Sequence, residues 1–258
     1  MPQANILVEK NGHIGEITLN RPDDMNTFTV SFARALNDSL LDMEADDNVR
    51  TVVIKGAGKH FSAGISLAEF KDKDHRQYRH LIRLMDEHNH TIANMKKPVI
   101  ASVKGYALAN GAGLVFACDL AVASEDAKFG TTAINVGLIC LGPAVPLARS
   151  VGRKKTLEMV LTGDIISATE AERLGLINRV VPEDELETAT MALAEKIAAK
   201  NPLSVRIGKT GIYGMQDLPY HQSLDYLGEL FAALCSTEDA HEGIQAFIEK
   251  REPAWKGK

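Results

Sequence analysis

Short apolar runs alternate with amphipathic stretches along the first two thirds of the chain, and amphipathic stretches alone follow. Apolar runs bounded by turn residues predict buried strands, whereas apolar spacings of three and four predict helices. The predicted strands are 6–8, 14–19, 49–54, 99–103, 120–123 and 180–182, the first two joined at Asn11-Gly12 as a hairpin. The predicted helices are 29–43, 76–95, 111–118, 149–161, 167–175, 183–200, 202–213, 219–234 and 238–250.

Helix ends agree with these assignments at two places. Thr29 is a suitable N-cap for a helix whose apolar positions fall on one side. Ser167 and Glu170 have the spacing of a capping box, and Gly175 follows as a C-cap. We interpret residues 129–146 as a loop region. The alternation of strands and helices up to residue 182 predicts an α/β protein that ends in an all-helical region.

The most informative stretch of the chain is 98–119, with the sequence PVIASVKGYALANGAGLVFACD. A buried strand leads through a bend of small residues into a helix, and such a bend allows a ligand to approach the backbone. The first N–H groups of a helix lack intrahelical partners, and the helix dipole favours negative charge there. We therefore interpret this bend as one half of an oxyanion hole.

The length, composition and net charge of the chain exclude several classes of protein. With 258 residues, 45% hydrophobic residues and a net charge of −5, the chain is ordinary for a globular protein and has no general attraction to nucleic acid. The three cysteines follow no zinc or disulfide pattern, and no metal site is predicted. No apolar run reaches the ~20 residues of a membrane span, and no signal-peptide core is evident. We expect a cytoplasmic protein that does not enter membranes.

Five motifs then carry a family resemblance: HFSAGISL, KPVIASVKGYALANGAG, CDLAVASEDAKFG, LTGDIISATEAERLGLINRVVP and EGIQAFIEKREPAWKG. In this order they resemble the crotonase (enoyl-CoA hydratase/isomerase) superfamily over the whole chain, nearest its enoyl-CoA hydratase domain-containing 3-like branch. The resemblance implies a spiral of ββα units over residues 1–195 and a helical trimerisation region over 196–258, with trimers that can pair into hexamers. It also implies an acyl-CoA thioester as the ligand, and no prosthetic group.

The resemblance assigns the oxyanion hole to two backbone N–H groups, those of Ile65 and Asn110. Fixed donors that face a developing enolate are among the largest sources of catalysis. Asn110 stands where glycine is usual, but asparagine tolerates a left-handed backbone. We expect its N–H to point into the site and its side-chain amide to lie near the acyl group. Ser66 stands where aspartate is usual.

The usual acid–base groups are missing. Hydratases of the family carry glutamates at the positions of Gly113 and Ala133, and related isomerases and dehalogenases carry an aspartate at the position of Leu141. None of these three can move a proton, so hydration requires another group. His90 has the spacing of a helix histidine in dehalogenases of the family, and Cys140 lies in the loop that lines the acyl pocket. Thr132 and Asn135 are further polar residues of that loop, and pocket lining is the simpler role for them.

Coenzyme A binding is assigned by the same resemblance. Arg21 and Lys59 stand near turns that meet the nucleotide and phosphates, Met25 flanks the pantetheine, and Lys250 ends the last helix, which reaches toward the cofactor in relatives. The remaining expected contacts are Ala63, Gly64, Ile65, Ser66, Leu67, Tyr106, Leu108 and Gly111. Each charged residue, taken alone, is equally consistent with a solvated surface position.

Three hypotheses for the function follow. The first is an acyl-CoA enzyme of this family that stabilises a thioester enolate with non-standard acid–base residues. The second is a catalytically silent homologue that binds acyl-CoA or assembles with active trimers. The third is a family enzyme of another reaction, such as an isomerase, a hydrolase or a dienoyl-CoA hydratase, with His90, Cys140 or a pocket aspartate directed at the thioester.

Overall fold

The computed structural model describes residues 4–258 and is built around a six-stranded sheet. Its strands lie in the order β1-β2-β3-β4-β6-β9, with β1 and β2 antiparallel and every other pair parallel. A second sheet has the order β5-β7-β8. The strands are β1 Ile6–Asn11, β2 Ile14–Leu19, β3 Thr51–Gly56, β4 Val99–Val103, β5 Tyr106–Leu108, β6 Leu120–Ser124, β7 Lys128–Gly130, β8 Ile165–Ser167 and β9 Arg179–Val181.

The α-helices are α1 Val30–Ala45, α2 His75–Asn94, α3 Asn110–Ala117, α4 Leu141–Thr162, α5 Ala168–Arg173, α6 Leu186–Ala198, α7 Pro202–Met215, α8 Tyr220–Cys235 and α9 Glu238–Glu249. Short 3₁₀ helices cover Pro22–Asp24, Leu67–Phe70, Thr132–Val136 and Glu183–Glu185. Thr29 accepts a hydrogen bond from the Phe32 amide and Ser167 accepts one from the Glu170 amide, which confirms both predicted N-caps.

Helices cover both faces of the main sheet. On one face, α1, α2 and α3 form the larger core, in which Leu36 of α1 and Met85 of α2 are fully buried. On the other face, Ala194 and Ala198 of α6 pack against Val53 and Ile100 of the sheet. The α/β class predicted from the strand and helix pattern is therefore confirmed. The predicted boundary at residue 195 falls inside α6, which belongs to the layered core.

The region predicted as a loop over 129–146 is largely regular, and this prediction was wrong. It contains β7, a 3₁₀ helix and the first turns of α4, which begins at Leu141 rather than at Arg149. The backbone of α4 leaves helical geometry at Gly152, where φ is +73°. The predicted helix 149–161 runs through this interruption, whereas Gly142, Pro143 and Pro146 in the first turns of α4 hide the start of the helix in the sequence pattern.

The C-terminal helices are unevenly buried. None of the residues of α8 is buried, and even its apolar residues Leu224 and Phe231 are more than half exposed. On α9, Phe247 is 85% exposed. Within residues 4–258, no helix combines the length and the apolar character that a bilayer crossing requires.

Candidate active site

A cavity of about 880 Å³ lies between the loop after β3, helices α2 and α3, and the N-terminus of α4. Its volume is within the usual range for small-molecule sites. Most of its walls are apolar, and several apolar side chains at its rim are exposed, with Leu67 and Leu141 the most exposed of them. The lining residues are Thr27, Ala63, Ile65, Ser66, Leu67, Phe70, Ile82, Asp86, Ala109, Asn110, Thr132, Ala133, Ile134, Val136, Gly137, Leu138, Ile139, Cys140, Leu141, Gly142 and Pro143.

The loop that contains Ile65 is held by backbone hydrogen bonds on both sides. Ser62 pairs with β5, since its amide donates to the Tyr106 carbonyl over 3.0 Å and its carbonyl accepts from the Leu108 amide over 2.9 Å. Phe28 accepts from the Ser66 amide and donates to the Gly64 carbonyl. These bonds leave the Ile65 amide between two anchored residues.

Gly64 brings this loop against the bend before α3. Its φ is +96°, and a Cβ atom at this position would lie 2.8 Å from the Ala109 Cβ and 3.2 Å from the Asn110 nitrogen. Only glycine fits both the backbone angle and the space. The Asn110 amide is therefore close to residue 64, one position before Ile65.

Neither amide predicted for the oxyanion hole is used elsewhere. Among residues 4–258, the N–H groups of Ile65 and Asn110 donate to no protein acceptor, and both residues line the cavity. Asn110 is the first residue of α3, so its N–H has no intrahelical partner and lies at the positive end of the helix dipole. The two segments are thus brought together with free donors at one cavity.

The expectation for the conformation and side chain of Asn110 was wrong. The residue with positive φ is Ala109 (φ +48°, ψ −119°), not Asn110. The Asn110 side chain is buried, and its Nδ2 donates to the Met85 carbonyl of α2 over 2.9 Å. It therefore joins α3 to α2 instead of offering its amide to an acyl group.

The positions assigned to the missing carboxylates differ in their surroundings. Ala133 and Leu141 line the cavity, as does Thr132, whereas Gly113 does not. A Cβ atom at Gly113 would lie 2.8 Å from the Pro143 Cγ and 3.2 Å from its Cα. The buried Pro143 thus occupies the space that a glutamate at residue 113 would need.

Asp86 of α2 is the one carboxylate among the lining residues, and it is not one of the site residues predicted from the sequence. Its side chain takes part in none of the hydrogen bonds or ion pairs formed within residues 4–258. Both carboxylate oxygens lie 2.4 Å from the place of a Cβ atom at Gly142, so this glycine makes room for the carboxylate. Burial raises the pKa of Asp86 to about 6, and the nearby His90 opposes this shift.

Cys140 and His90, the two substitutes considered from the sequence, are placed differently. Cys140 is buried in the cavity wall, where burial, followed by the charge of Asp86, raises the pKa of its thiol and disfavours the thiolate. His90 is exposed and lines a second cavity of about 860 Å³ between α2, α3, α4 and α7. It does not line the cavity that contains Asp86.

The second cavity contains a buried ion pair. Lys209 of α7 donates to the Asp119 carboxylate over 2.7 Å and also to the backbone carbonyls of Ile92 and Lys97. Asp119 in turn accepts from the Val99 amide over 2.7 Å. Asp119 therefore joins α7 to the start of β4, which is a structural role.

The residues assigned to coenzyme A fall into three groups. Ala63, Ile65, Ser66 and Leu67 line the cavity, and Gly64 lies between them. The residues of a second group do not line the cavity, but some of them contact residues near it. Arg21 donates to the carbonyl of the lining residue Thr27, the Met25 carbonyl accepts from the Ala63 amide, and Gly111 packs against Ser62. Lys59 and Tyr106 are exposed, and Leu108 is half-buried. Lys250, at the end of α9, is not a lining residue.

A signal for Asp86 is present in the sequence. Tyr78, Ile82 and Asp86 recur at intervals of four, so the acidic residue continues one apolar stripe of α2. A charge on the inward side of a helix indicates a functional position, because burial of an unpaired charge is costly. Pro143 has no comparable signal in the sequence, because its contact with Gly113 depends on the path of the kinked helix α4.

Comparisons with known proteins agree with this geometry. A family model described as enoyl-CoA hydratase/isomerase matches residues 9–258. A probable enoyl-CoA hydratase of Rhizobium meliloti (strain 1021) is 37% identical over 257 residues, which cover 99% of each chain. The crystal structure of human enoyl-CoA hydratase domain-containing protein 3 superposes with a TM-score of 0.94 at 35% identity, covering 97% of this chain and 100% of that one.

An enoyl-CoA hydratase structure from Mycobacterium smegmatis superposes with a TM-score of 0.95 at 37% identity, covering 98% of this chain and 99% of that one. These matches run over nearly the whole of both chains, and they confirm the crotonase fold and the branch resemblance seen in the motifs. The chain therefore belongs to the enoyl-CoA hydratase/isomerase family.

Proposed function

We propose that this protein is an acyl-CoA enzyme that polarises the thioester carbonyl with the amides of Ile65 and Asn110 and stabilises the enolate formed from it. The observation that carries the proposal is the pair of unused N–H groups on one cavity. Backbone donors in a site with few competing dipoles gain strength, and removal of one such donor typically costs about 10²–10³ in rate. Family membership supports a coenzyme A thioester as the substrate.

The shape of the cavity supports an apolar acyl group. Leu67, Val136 and Leu141 are more than half exposed at its rim. Apolar side chains left in water at the mouth of a cavity are typical of ligand sites, because the ligand covers them. The acyl chain then lies against these residues, and the thioester oxygen lies between the two amides.

For the nucleotide end, Lys59 is the basic residue we propose to contact phosphate, because it is exposed on the turn before HFSAGISL. The Arg21 guanidinium already donates to the Thr27 carbonyl over 2.6 Å and pairs with Asp24, so it supports the cavity edge. Lys250 lies beyond α9 in a tail that is fixed to α6 through Trp255, whose Nε1 donates to the Ala199 carbonyl. We therefore assign Lys250 to a nucleotide contact only in an assembled oligomer.

The C-terminal helices support assembly into homotrimers. Helix α8 buries none of its residues, and Phe247 and Ile248 of α9 are largely exposed. Sedimentation equilibrium of the whole chain tests this proposal, with a trimer as the expected species. Phe247→Asp should shift the distribution toward monomer, since a charge in an apolar interface is unfavourable. A wild-type monomer at all concentrations would contradict it.

The oxyanion hole is tested by infrared spectroscopy of bound butyryl-CoA carrying a ¹³C label at the thioester carbonyl. Two donors on the oxygen should lower the carbonyl stretching frequency relative to free butyryl-CoA. Ile65→Pro removes one N–H group and should lose much of the shift, whereas Ile65→Ala keeps the N–H and serves as the matched control. Circular dichroism of both variants verifies that the fold is retained.

The silent homologue is the second candidate, and the packing of Pro143 against Gly113 favours it. It predicts tight binding of butyryl-CoA without turnover of short, medium or aromatic enoyl-CoA substrates. If wild-type protein shows neither turnover nor a carbonyl shift, the enzymatic proposal is wrong. A shift together with turnover of any of these substrates supports it.

A further inference from the structure

We infer that Asp86 is the catalytic base of this cavity, taking a proton from the carbon next to the thioester carbonyl and returning it. This inference rests on the proposed function, because the proton becomes acidic only when the carbonyl oxygen is held by the Ile65 and Asn110 amides. The family positions for carboxylates hold Gly113 and Ala133, so a proton-transfer group has to come from elsewhere in the wall.

The wall offers Asp86 and Cys140 as its titratable side chains. Cys140 is buried, and burial raises the pKa of its thiol, which therefore keeps its proton. The Asp86 carboxylate has no hydrogen-bond or ion-pair partner within the described chain, and Gly142 leaves it room. A carboxylate without a structural partner is free to accept a proton from a ligand.

A hydrogen bond to the backbone of α2 fixes the position of Asp86 relative to the oxyanion donors. Asn110 supplies one free amide, and its side chain donates to the carbonyl of Met85, the residue before Asp86. One hydrogen bond therefore couples the helix that carries the base to the helix that carries a donor. Such second contacts hold catalytic groups in a fixed geometry.

The proposed reaction moves one proton from the substrate to Asp86 and back. The Asp86 carboxylate takes the proton from Cα, the C–H electron pair forms a double bond between Cα and the carbonyl carbon, and the carbonyl π pair moves to the oxygen between the two amides. Reversal returns the proton to Cα. In D₂O the carboxylic acid exchanges with solvent at the cavity mouth before reversal, so deuterium replaces hydrogen at Cα with no other reagent.

The charge environment suits this role. A general base is most effective when its pKa is near the working pH. Burial raises the pKa of Asp86 to about 6, which is near neutral pH. The titratable groups close enough to act on it are His90, which is on the same helix but lines the second cavity, and Cys140 at the start of α4. No charged side chain from the loop 63–67, from α3 or from the 3₁₀ helix 132–136 is among the lining residues.

The experiment measures deuterium incorporation at Cα of butyryl-CoA in D₂O by proton NMR, using the full chain. Wild-type protein should catalyse exchange with a rate that rises through about pH 6. Asp86→Asn should lower this rate about 10²–10⁴-fold, the usual contribution of a positioned base. Glu87→Gln, at the next and exposed position of α2, is the matched control and should leave the rate unchanged.

Binding and carbonyl polarisation separate the two proposals. Asp86→Asn should still bind butyryl-CoA and lower its ¹³C carbonyl frequency, and Asp86→Glu should retain part of the exchange. Exchange by Asp86→Asn at the wild-type rate, or a wild-type protein that shifts the carbonyl without exchange, would overturn the role of Asp86 and leave the oxyanion hole standing. Loss of binding, carbonyl shift and exchange together in Asp86→Asn would also overturn it, since that pattern indicates a structural residue. No carbonyl shift in wild type would reject the proposed function itself.

Discussion

The Asn110 side chain donates to the Met85 carbonyl over 2.9 Å, and this bond crosses from the first turn of α3 to the middle of α2. Asn110 is buried, as is the Met85 side chain. The bond therefore forms where water cannot replace it. It links the two helices that supply one free amide and the cavity carboxylate.

Asn110→Ala tests this link. Loss of the buried hydrogen bond should lower the free energy of unfolding by about 1–2 kcal/mol. The backbone amide remains, so butyryl-CoA should still bind, but α-proton exchange should fall about tenfold, because misplacement of a reacting group by 1 Å is costly. Urea denaturation and proton NMR give the two measurements. Asn48→Ala, at an exposed position, is the control, and equal stability of the two variants would contradict the prediction.

Ala109 has a backbone conformation that glycine favours, with φ +48° and ψ −119°. A non-glycine residue in such a region costs on the order of 1 kcal/mol or more. Ala109→Gly should therefore stabilise the protein by about 1 kcal/mol, with butyryl-CoA binding retained. Ala109→Val should destabilise it, because a β-branched side chain is worse in this region. Chemical denaturation measures both, and an Ala109→Gly variant that is less stable than wild type would contradict the strain argument.

That the segments of Ile65 and Asn110 meet at one cavity could be predicted from sequence, because the signals for both are local. A strand, a bend of small residues and a helix start follow one another at 98–119, and motif resemblance supplies the second segment at Ile65. The side-chain direction of Asn110 could not be predicted, since it depends on how α2 crosses α3. Asp86 was missed because its place in the cavity depends on the room left by Gly142, and the start of α4 was missed because Gly142, Pro143 and Pro146 do not favour a helix.

His88 is fully buried beside Phe28, and its Nε2 has no hydrogen-bond partner within the described chain. Burial lowers its pKa to about 4. The unfolded chain therefore binds a proton near pH 6.5 before the folded chain does, and stability falls as the pH drops from 6.5 toward 4. At about 1.4 kcal/mol per pKa unit, this loss is on the order of 2 kcal/mol between pH 7 and pH 5.

His88→Leu should remove this contribution. The stability difference between the variant and wild type, measured by urea denaturation, should shift by on the order of 2 kcal/mol in favour of the variant from pH 7 to pH 5. His80→Leu, at an exposed position of the same helix, is the control and should show no such shift. A difference that is independent of pH would show that His88 does not resist protonation.

The Asp86 carboxylate should lower the free energy of unfolding at neutral pH, whereas His88 lowers it in acid. Its pKa is raised to about 6 in the folded chain from an ordinary value of 3.8, so the cost is absent below about pH 4 and complete above pH 6. Asp86→Asn should therefore stabilise the protein by about 1–3 kcal/mol at pH 7 and by little at pH 4. Glu87→Gln should have no comparable effect. A destabilised Asp86→Asn variant at pH 7 would indicate a partner for the carboxylate.

Gly113 and Ala133 should respond very differently to a glutamate. At Gly113 the new side chain meets Pro143, whose Cγ would lie 2.8 Å from the added Cβ, and it also buries a charge. Gly113→Glu should destabilise the protein by about 3 kcal/mol, combining overpacking with burial of a charge. Pro143→Ala in the same chain should recover part of this loss, because it removes the ring atoms from that space.

Ala133→Glu projects into the cavity from the 3₁₀ helix and should be tolerated within about 1 kcal/mol. It places a second carboxylate in the cavity with Asp86, and like charges raise each other's pKa. The midpoint of α-proton exchange should therefore move above its wild-type position near pH 6. Thermal denaturation and the pH profile of exchange measure both effects. Equal destabilisation by the two glutamates would contradict the assignment of Pro143, and an unchanged pH midpoint would place residue 133 out of reach of Asp86.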